Sequence, residues 1–126
     1  MASFACPVLE AYGATEASGG ICGTSIWDNS SGNVGGPLPC LKLKLRDLPE
    51  LGYLSTDNPP RGEVLIKGPP LFKGYFRNKE LTKSVLDKDG WLRLGDVGKI
   101  HPNGSIELID RVNSIRKLQH GFYVAP

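Results

Sequence analysis

No apolar run in this sequence extends beyond a few residues before a glycine, a proline or a charge interrupts it. That punctuation constrains the fold more than any other feature. Sixteen Gly and ten Pro are spread along 126 residues without a repeat, so the chain must turn often between short extended segments. No stretch is long and apolar enough for a membrane span, and the opening MASFACPVLEAYG lacks the basic and apolar regions of a signal peptide. A length of 126 residues is that of one domain. The formal net charge of +2 favours neither nucleic acid nor an anionic membrane. Cys6, Cys22 and Cys40 are odd in number and widely spaced, so they are expected as buried or half-buried thiols in a reducing compartment.

Periodicity then places the elements. Ala5 to Tyr12 predicts a short buried strand, and the Gly/Ser/Thr/Asn-rich stretch from Glu16 to Asn33 predicts a loop facing a ligand. LKLKL at 41–45 alternates with period two, as a half-buried strand does, and Pro49 to Arg61 is rich in turn residues. GEVLIKG at 62–68 reads as a strand, and Leu71 to Phe76 as a shorter extended piece. Asn78 is placed to cap a short helix over KELTKSVLD, with Leu81, Val85 and Leu86 on one face. WLRLGDVGKI, the turn Pro102-Asn103-Gly104 and SIELID form a hairpin. The expected fold class is α+β and β-rich, antiparallel with one short helix, with a boundary near Asp110 to Ile115.

Three constellations carry chemistry. In Tyr12-Gly13-Ala14-Thr15-Glu16, an aromatic face, a backbone open to close approach, a hydroxyl and a carboxylate suit a nucleotide and its Mg²⁺. The same pentapeptide is equally a strand-to-loop turn whose threonine caps the backbone. Asp96, between Gly95 and Gly98, can accept from both hydroxyls of a ribose or can stabilise its own turn. Arg111, after Asp110, offers a planar fork to ribose or phosphate oxygens, or a surface ion pair.

The order of the motifs decides between these readings. YGATE (12–16), GEVLIKGP (62–69), LFKGYFRN (71–78), GWLRLGDVGKI (90–100), PNGSIELIDR (102–111) and KLQHGFYVAP (117–126) follow one another. Together they resemble the adenylate-forming superfamily of acyl-CoA synthetases, luciferases and adenylation domains, from about Phe4 to Pro126. Within it, KLQHGFYVAP and VGGPLPCLKLKLRD (34–47) are similar to the long-chain fatty acyl-CoA synthetases.

The resemblance implies that residues 1–110 are the C-terminal portion of the large AMP-binding domain, part of its antiparallel β-barrel subdomain. Residues 111–126 would be the hinge and the start of a small, truncated C-terminal domain. It implies ATP or AMP, Mg²⁺ and CoA as cofactors, with the CoA site mostly outside this chain. Tyr12 would lie against adenine with Gly13 beside it in the nucleotide site, Thr15 would bind the AMP phosphate and Glu16 would help hold the metal, Thr15 and Glu16 thereby serving catalysis. Asp96 and Arg111 would bind the ribose hydroxyls, the Gly19-Gly20 loop would lie near the acyl chain, and Lys117 and Gly121 match the motif after the hinge.

Two positions depart from the family pattern: Asn113 stands where a charged hinge residue is common, and Phe122 where a glutamate follows the glycine. They bear on domain rotation and thioester formation rather than on nucleotide binding. The partners implied are a long-chain fatty acid and CoA, with no nucleic acid, and with membrane association through regions outside this chain. The implied location is intracellular, on the cytoplasmic side of the endoplasmic reticulum, a peroxisome or another membrane. No phosphate loop of the S-G-T-T-G-x-P-K type precedes Tyr12, and no C-terminal Gly-Lys motif follows. This chain alone is therefore expected to turn over little or no substrate, and to be poorly soluble where its apolar strands lack their covering.

Overall fold

The computed structural model describes residues 5–114. Two antiparallel sheets face a shared core. The smaller has the order β1-β2-β3, from β1 (Ala11–Ala14), β2 (Gly19–Gly23) and β3 (Gly36–Pro37). The larger has the order β4-β5-β6-β7, from β4 (Lys42–Arg46), β5 (Arg61–Lys67), β6 (Leu92–Ile100) and β7 (Ile106–Arg111). One helix, α1 (Lys79–Val85), lies between β5 and β6 in the chain. The β-rich antiparallel class read from the sequence is the one observed.

The larger sheet follows its sequence closely. The alternation of β4 turns Leu43 and Leu45 toward the core and leaves Lys42, Lys44 and Arg46 exposed. The central strand β5 is buried from Gly62 to Ile66, which explains why its apolar run is continuous rather than alternating. Val64, Ile66, Leu92 and Ile106 meet Tyr12, Ile21 and Cys22 of the smaller sheet in one buried cluster. The sheets are tied by backbone as well: Val34 N–H donates to the Ile106 carbonyl and Ile106 N–H to the Gly35 carbonyl, both at 2.8 Å.

Several expectations are corrected. The first strand begins at Ala11, and Val8 and Leu9, before it, are exposed. Part of the expected loop after Glu16 is strand β2, because Ile21 and Cys22 are drawn into the core and their backbone pairs with β1 and β3. Leu71 to Phe76 forms no strand; its backbone is held locally, with Phe72 N–H donating to the Glu16 carbonyl at 2.7 Å. Cys6 and Cys40 are exposed thiols, whereas Cys22 is buried, and burial pushes the Cys22 thiol up to about 11. Lys117, Gly121 and Phe122 lie outside the described residues, as does most of the stretch 111–126 expected as hinge and start of the small domain.

Helix α1 starts where its cap residue requires. The Asn78 side chain accepts from Leu81 N–H at 3.0 Å, satisfying one of the unpaired amides of the first turn. Val85 and Leu86 pack on the core, whereas Leu81 is exposed rather than on the buried face. Asn78→Ala is expected to lower stability by about 1 kcal/mol, the usual cost of losing a cap. A denaturation midpoint unchanged by this substitution would contradict that role.

Candidate functional site

The site is assembled by an irregularity in β6. Leu65 of β5 pairs with Arg93 and Glu63 pairs with Val97, so a single β5 residue, Val64, faces the β6 stretch of Leu94, Gly95 and Asp96. Gly95 absorbs the bulge with φ of 78°, a conformation that suits glycine. Asp96, directly after the bulge, is buried. On the other side, Asp96 is the register partner of Arg111 in β7.

Both oxygens of Asp96 are engaged. The Tyr12 hydroxyl, reaching from the other sheet, donates to Oδ2, and Arg111 Nε stands 3.4 Å from Oδ1. The Arg111 side chain is 77% exposed, so most of its donor fork remains open to a ligand. Residues 12, 96 and 111 thus meet although 84 residues separate the tyrosine from the aspartate.

Glu16 lies in the short 3-10 turn Thr15–Ala17 that follows β1. Its Oε1 accepts from the Tyr75 hydroxyl at 2.7 Å, and this bond, with a smaller contribution from burial, raises the Tyr75 phenol above its ordinary value. Tyr75 also packs edge-on against Phe72, with ring centroids 4.8 Å apart. The sequence reading missed Tyr75 as a site residue. The available signal is the Gly74-Tyr75 pair inside LFKGYFRN, a stretch whose apolar residues suggest only an extended piece.

These residues line one open cavity of about 580 Å³: Tyr12, Gly13, Thr15, Glu16, Asp96 and Arg111 all face it. Every nucleotide-site residue singled out in the sequence is therefore on one wall system. The volume falls in the range of small-molecule sites. No cluster of three or more His, Cys, Asp or Glu side chains able to hold a metal by themselves occurs among the described residues. Glu16 could contribute a single carboxylate to a hard cation whose remaining ligands are phosphate oxygens and water, the usual arrangement for magnesium on a nucleotide.

Tyr12 is the most perturbed of the cavity groups. Burial first, and then the hydrogen bond and charge of Asp96, push its phenol well above the ordinary range. Because the folded value is raised, the folded chain keeps a proton that the unfolded chain releases above about pH 10. Its contribution to stability is complete below that pH and is lost as the pH rises through the folded value. Tyr12→Phe is expected to reduce the loss of stability between about pH 9 and about pH 11. Denaturation of both proteins at the two pH values tests this, and parallel declines would contradict it.

Comparison with known proteins identifies the family. The family model described as AMP-binding enzyme matches residues 1–76. The chain is 48% identical over 124 residues to the peroxisomal long chain acyl-CoA synthetase 7 of Arabidopsis thaliana, covering 98% of this chain and 18% of that protein. It is 49% identical over 125 residues to fatty acyl-CoA synthetase A of Dictyostelium discoideum, covering 98% of this chain and 19% of that one. Among solved structures, O-succinylbenzoate coenzyme A synthetase of Bacillus subtilis in complex with AMP matches with a TM-score of 0.71 and 28% identity, over 83% of this chain and 27% of the other. The chain thus spans less than a fifth of the length of these two relatives. It belongs to the AMP-binding enzyme family, whose long-chain fatty acyl-CoA synthetase members are its relatives.

Proposed function

We propose that this chain supplies the adenylate-binding wall of an ATP-dependent long-chain fatty acid:CoA ligase. In that reaction the fatty acid carboxylate attacks the α-phosphorus of ATP and expels pyrophosphate, and the CoA thiol then displaces AMP from the acyl-adenylate. The observation that carries the reading is the single cavity lined by Tyr12, Gly13, Thr15, Glu16, Asp96 and Arg111.

Within it, Asp96 accepts from the ribose hydroxyls, and its carboxylate is held in place by Tyr12 and Arg111. The open donors of Arg111 reach the same sugar. The ring of Tyr12 offers an apolar surface to adenine, and the backbone of Gly13 lies along the same wall. The exposed Thr15 hydroxyl donates to an α-phosphate oxygen. Glu16, oriented by Tyr75, would hold magnesium, and that ion when bound would neutralise charge developing on the phosphates. Residues 1–110 are assigned to the large nucleotide-binding domain and 111–126 to the hinge and the start of the small domain. CoA and most of the acyl pocket fall outside this piece. The peroxisomal location given for the Arabidopsis relative supports an intracellular setting for the whole protein.

The test is calorimetric titration of the 126-residue chain with AMP and with 2′,3′-dideoxy-AMP. Saturable binding of AMP that the dideoxy form lacks is expected, together with no ATP–pyrophosphate exchange on palmitate. Absence of saturable binding would overturn the assignment of the cavity, and clear exchange would overturn the division of labour.

A further inference from the structure

The net charge of +2 hides a strong asymmetry. Register places Lys42 directly opposite Lys67, Lys44 opposite Leu65, Arg46 opposite Glu63, and Leu65 opposite Arg93. The outer face of the four-stranded sheet therefore presents Lys42, Lys44, Arg46, Lys67 and Arg93 across three adjacent strands. Leu65 lies on this face and is buried, which is consistent with the aliphatic stems of its lysine and arginine neighbours covering it while their charged ends point outward. Trp91 borders the array, with Lys44 Nζ at 4.1 Å and Lys67 Nζ at 5.9 Å from its ring centroid.

The carboxylates do not cancel this charge. Glu63 is shared between Arg46 at 2.7 Å and Arg93 at 3.4 Å, one acid for two guanidiniums. Farther along the strands, Arg61 and Lys99 are matched by Asp57 and Glu107. No ion pair joins Lys42, Lys44 or Lys67 to a carboxylate among the described residues, although Asp87, which accepts from Trp91 N–H, lies within electrostatic reach of Lys44. Lys42 and Lys67 form a directly opposed like-charge pair, an arrangement that costs stability unless an anion comes between them.

We propose that this face docks on an anionic phospholipid surface. Residues two apart in a strand stand about 7 Å apart and neighbouring strands about 5 Å apart, so the charges form a two-dimensional array, with Arg93 at the rim of a small cavity that Ser84, Val85 and Val112 help to line. Such an array matches a plane of headgroups. A tryptophan at its edge is the side chain that lies comfortably at a membrane interface. Single-stranded nucleic acid fits less well, because Lys44 stands over the Trp91 ring that a base would need for stacking. No helix among the described residues could cross a membrane, so the contact would be peripheral. The proposal is independent of the adenylate cavity, and AMP titration reports on that cavity separately.

Co-sedimentation of the 126-residue chain with phosphatidylcholine vesicles, with and without phosphatidylserine, tests it. Binding is expected only with phosphatidylserine and is expected to fall in high salt. Each cation near such a surface raises partitioning about fivefold, so Lys42→Gln with Lys67→Gln is expected to lower it roughly 25-fold. Lys42→Arg with Lys67→Arg should retain binding within about twofold, since the charge is kept. Lys73→Gln with Lys79→Gln, outside the sheet, should lose much less than the first pair. Equal sedimentation with both vesicle types, an arginine pair as defective as the glutamine pair, or equal losses from the two glutamine pairs would overturn the proposal. Tighter binding to duplex DNA than to the anionic vesicles at the same salt would overturn it as well.

Discussion

Asp96→Ala is expected to abolish measurable AMP binding, with an affinity loss of roughly 100-fold or more, since hydrogen bonds to a charged group contribute about 1.5–3 kcal/mol each. A ribose offers two hydroxyls to the same carboxylate, so two such bonds go together. The substitution also strands the Tyr12 hydroxyl, which is buried with Asp96 as its partner. An unsatisfied buried donor costs about 1–3 kcal/mol, so the melting temperature should fall too. Asp96→Asn separates the two effects. Its amide oxygen can still accept from Tyr12, which should restore part of the stability. It has no charge to hold Arg111 and only one good acceptor for two hydroxyls, so affinity should stay low. Asp110 provides the control: it borders the same cavity but is exposed, and its side chain accepts from the Arg111 backbone N–H at 2.7 Å. Asp110→Ala should change AMP affinity only a few-fold. If Asp110→Ala removed binding and Asp96→Ala did not, the ribose would have to be reassigned.

The contrast between these two aspartates shows what a linear reading can and cannot supply. LKLKL and the PNG turn between β6 and β7 are local patterns, so their strands were legible from periodicity and turn chemistry alone. The strand β2 was not, because Gly19, Gly20 and Gly23 have the composition of a loop. It becomes a strand only because Ile21 and Cys22 find a core made by residues of the other sheet. Leu71 to Phe76 failed in the opposite sense: its apolar residues look extended, yet Phe72 and Tyr75 are committed to Glu16, more than fifty positions earlier. Motif order was enough to nominate the cavity residues. It could not reveal that Tyr12 and Arg111 both grip Asp96, since that depends on a bulge and on the packing of two sheets. The basic outer face was hidden for a related reason: summed over the chain, its lysines are offset by acids that lie elsewhere.

Gly13→Ala should be the most damaging single methyl added to the cavity. A Cβ built on Gly13 would stand 2.2 Å from the Gly19 carbonyl oxygen and 3.0 Å from its carbon, both backbone atoms of the paired strand. Neither can rotate away as a side chain would, so β1 and β2 must separate. That separation falls where their register already shifts, between Tyr12 and Gly13. Overpacking of this kind costs about 1–3 kcal/mol, and more where the clash is with backbone. The displaced segment carries Tyr12 on one side and Thr15 and Glu16 on the other. Movement of about 1 Å is therefore enough to break the Tyr12–Asp96 and Tyr75–Glu16 bonds together, and AMP binding should fall by a hundredfold or so. Gly20→Ala, on the opposing strand, is the informative comparison. Its added Cβ would meet only the Leu38 side chain, at 3.1 Å, which can shift to accommodate it. That variant should keep both its fold and its affinity within a few-fold of the parent. Equal behaviour of the two alanines in thermal melts and AMP titrations would mean that the close approach at Gly13 does not hold the cavity in shape. A defect confined to Gly13→Ala, in melting and in binding alike, would make the hairpin's backbone contact the element that positions the adenylate wall.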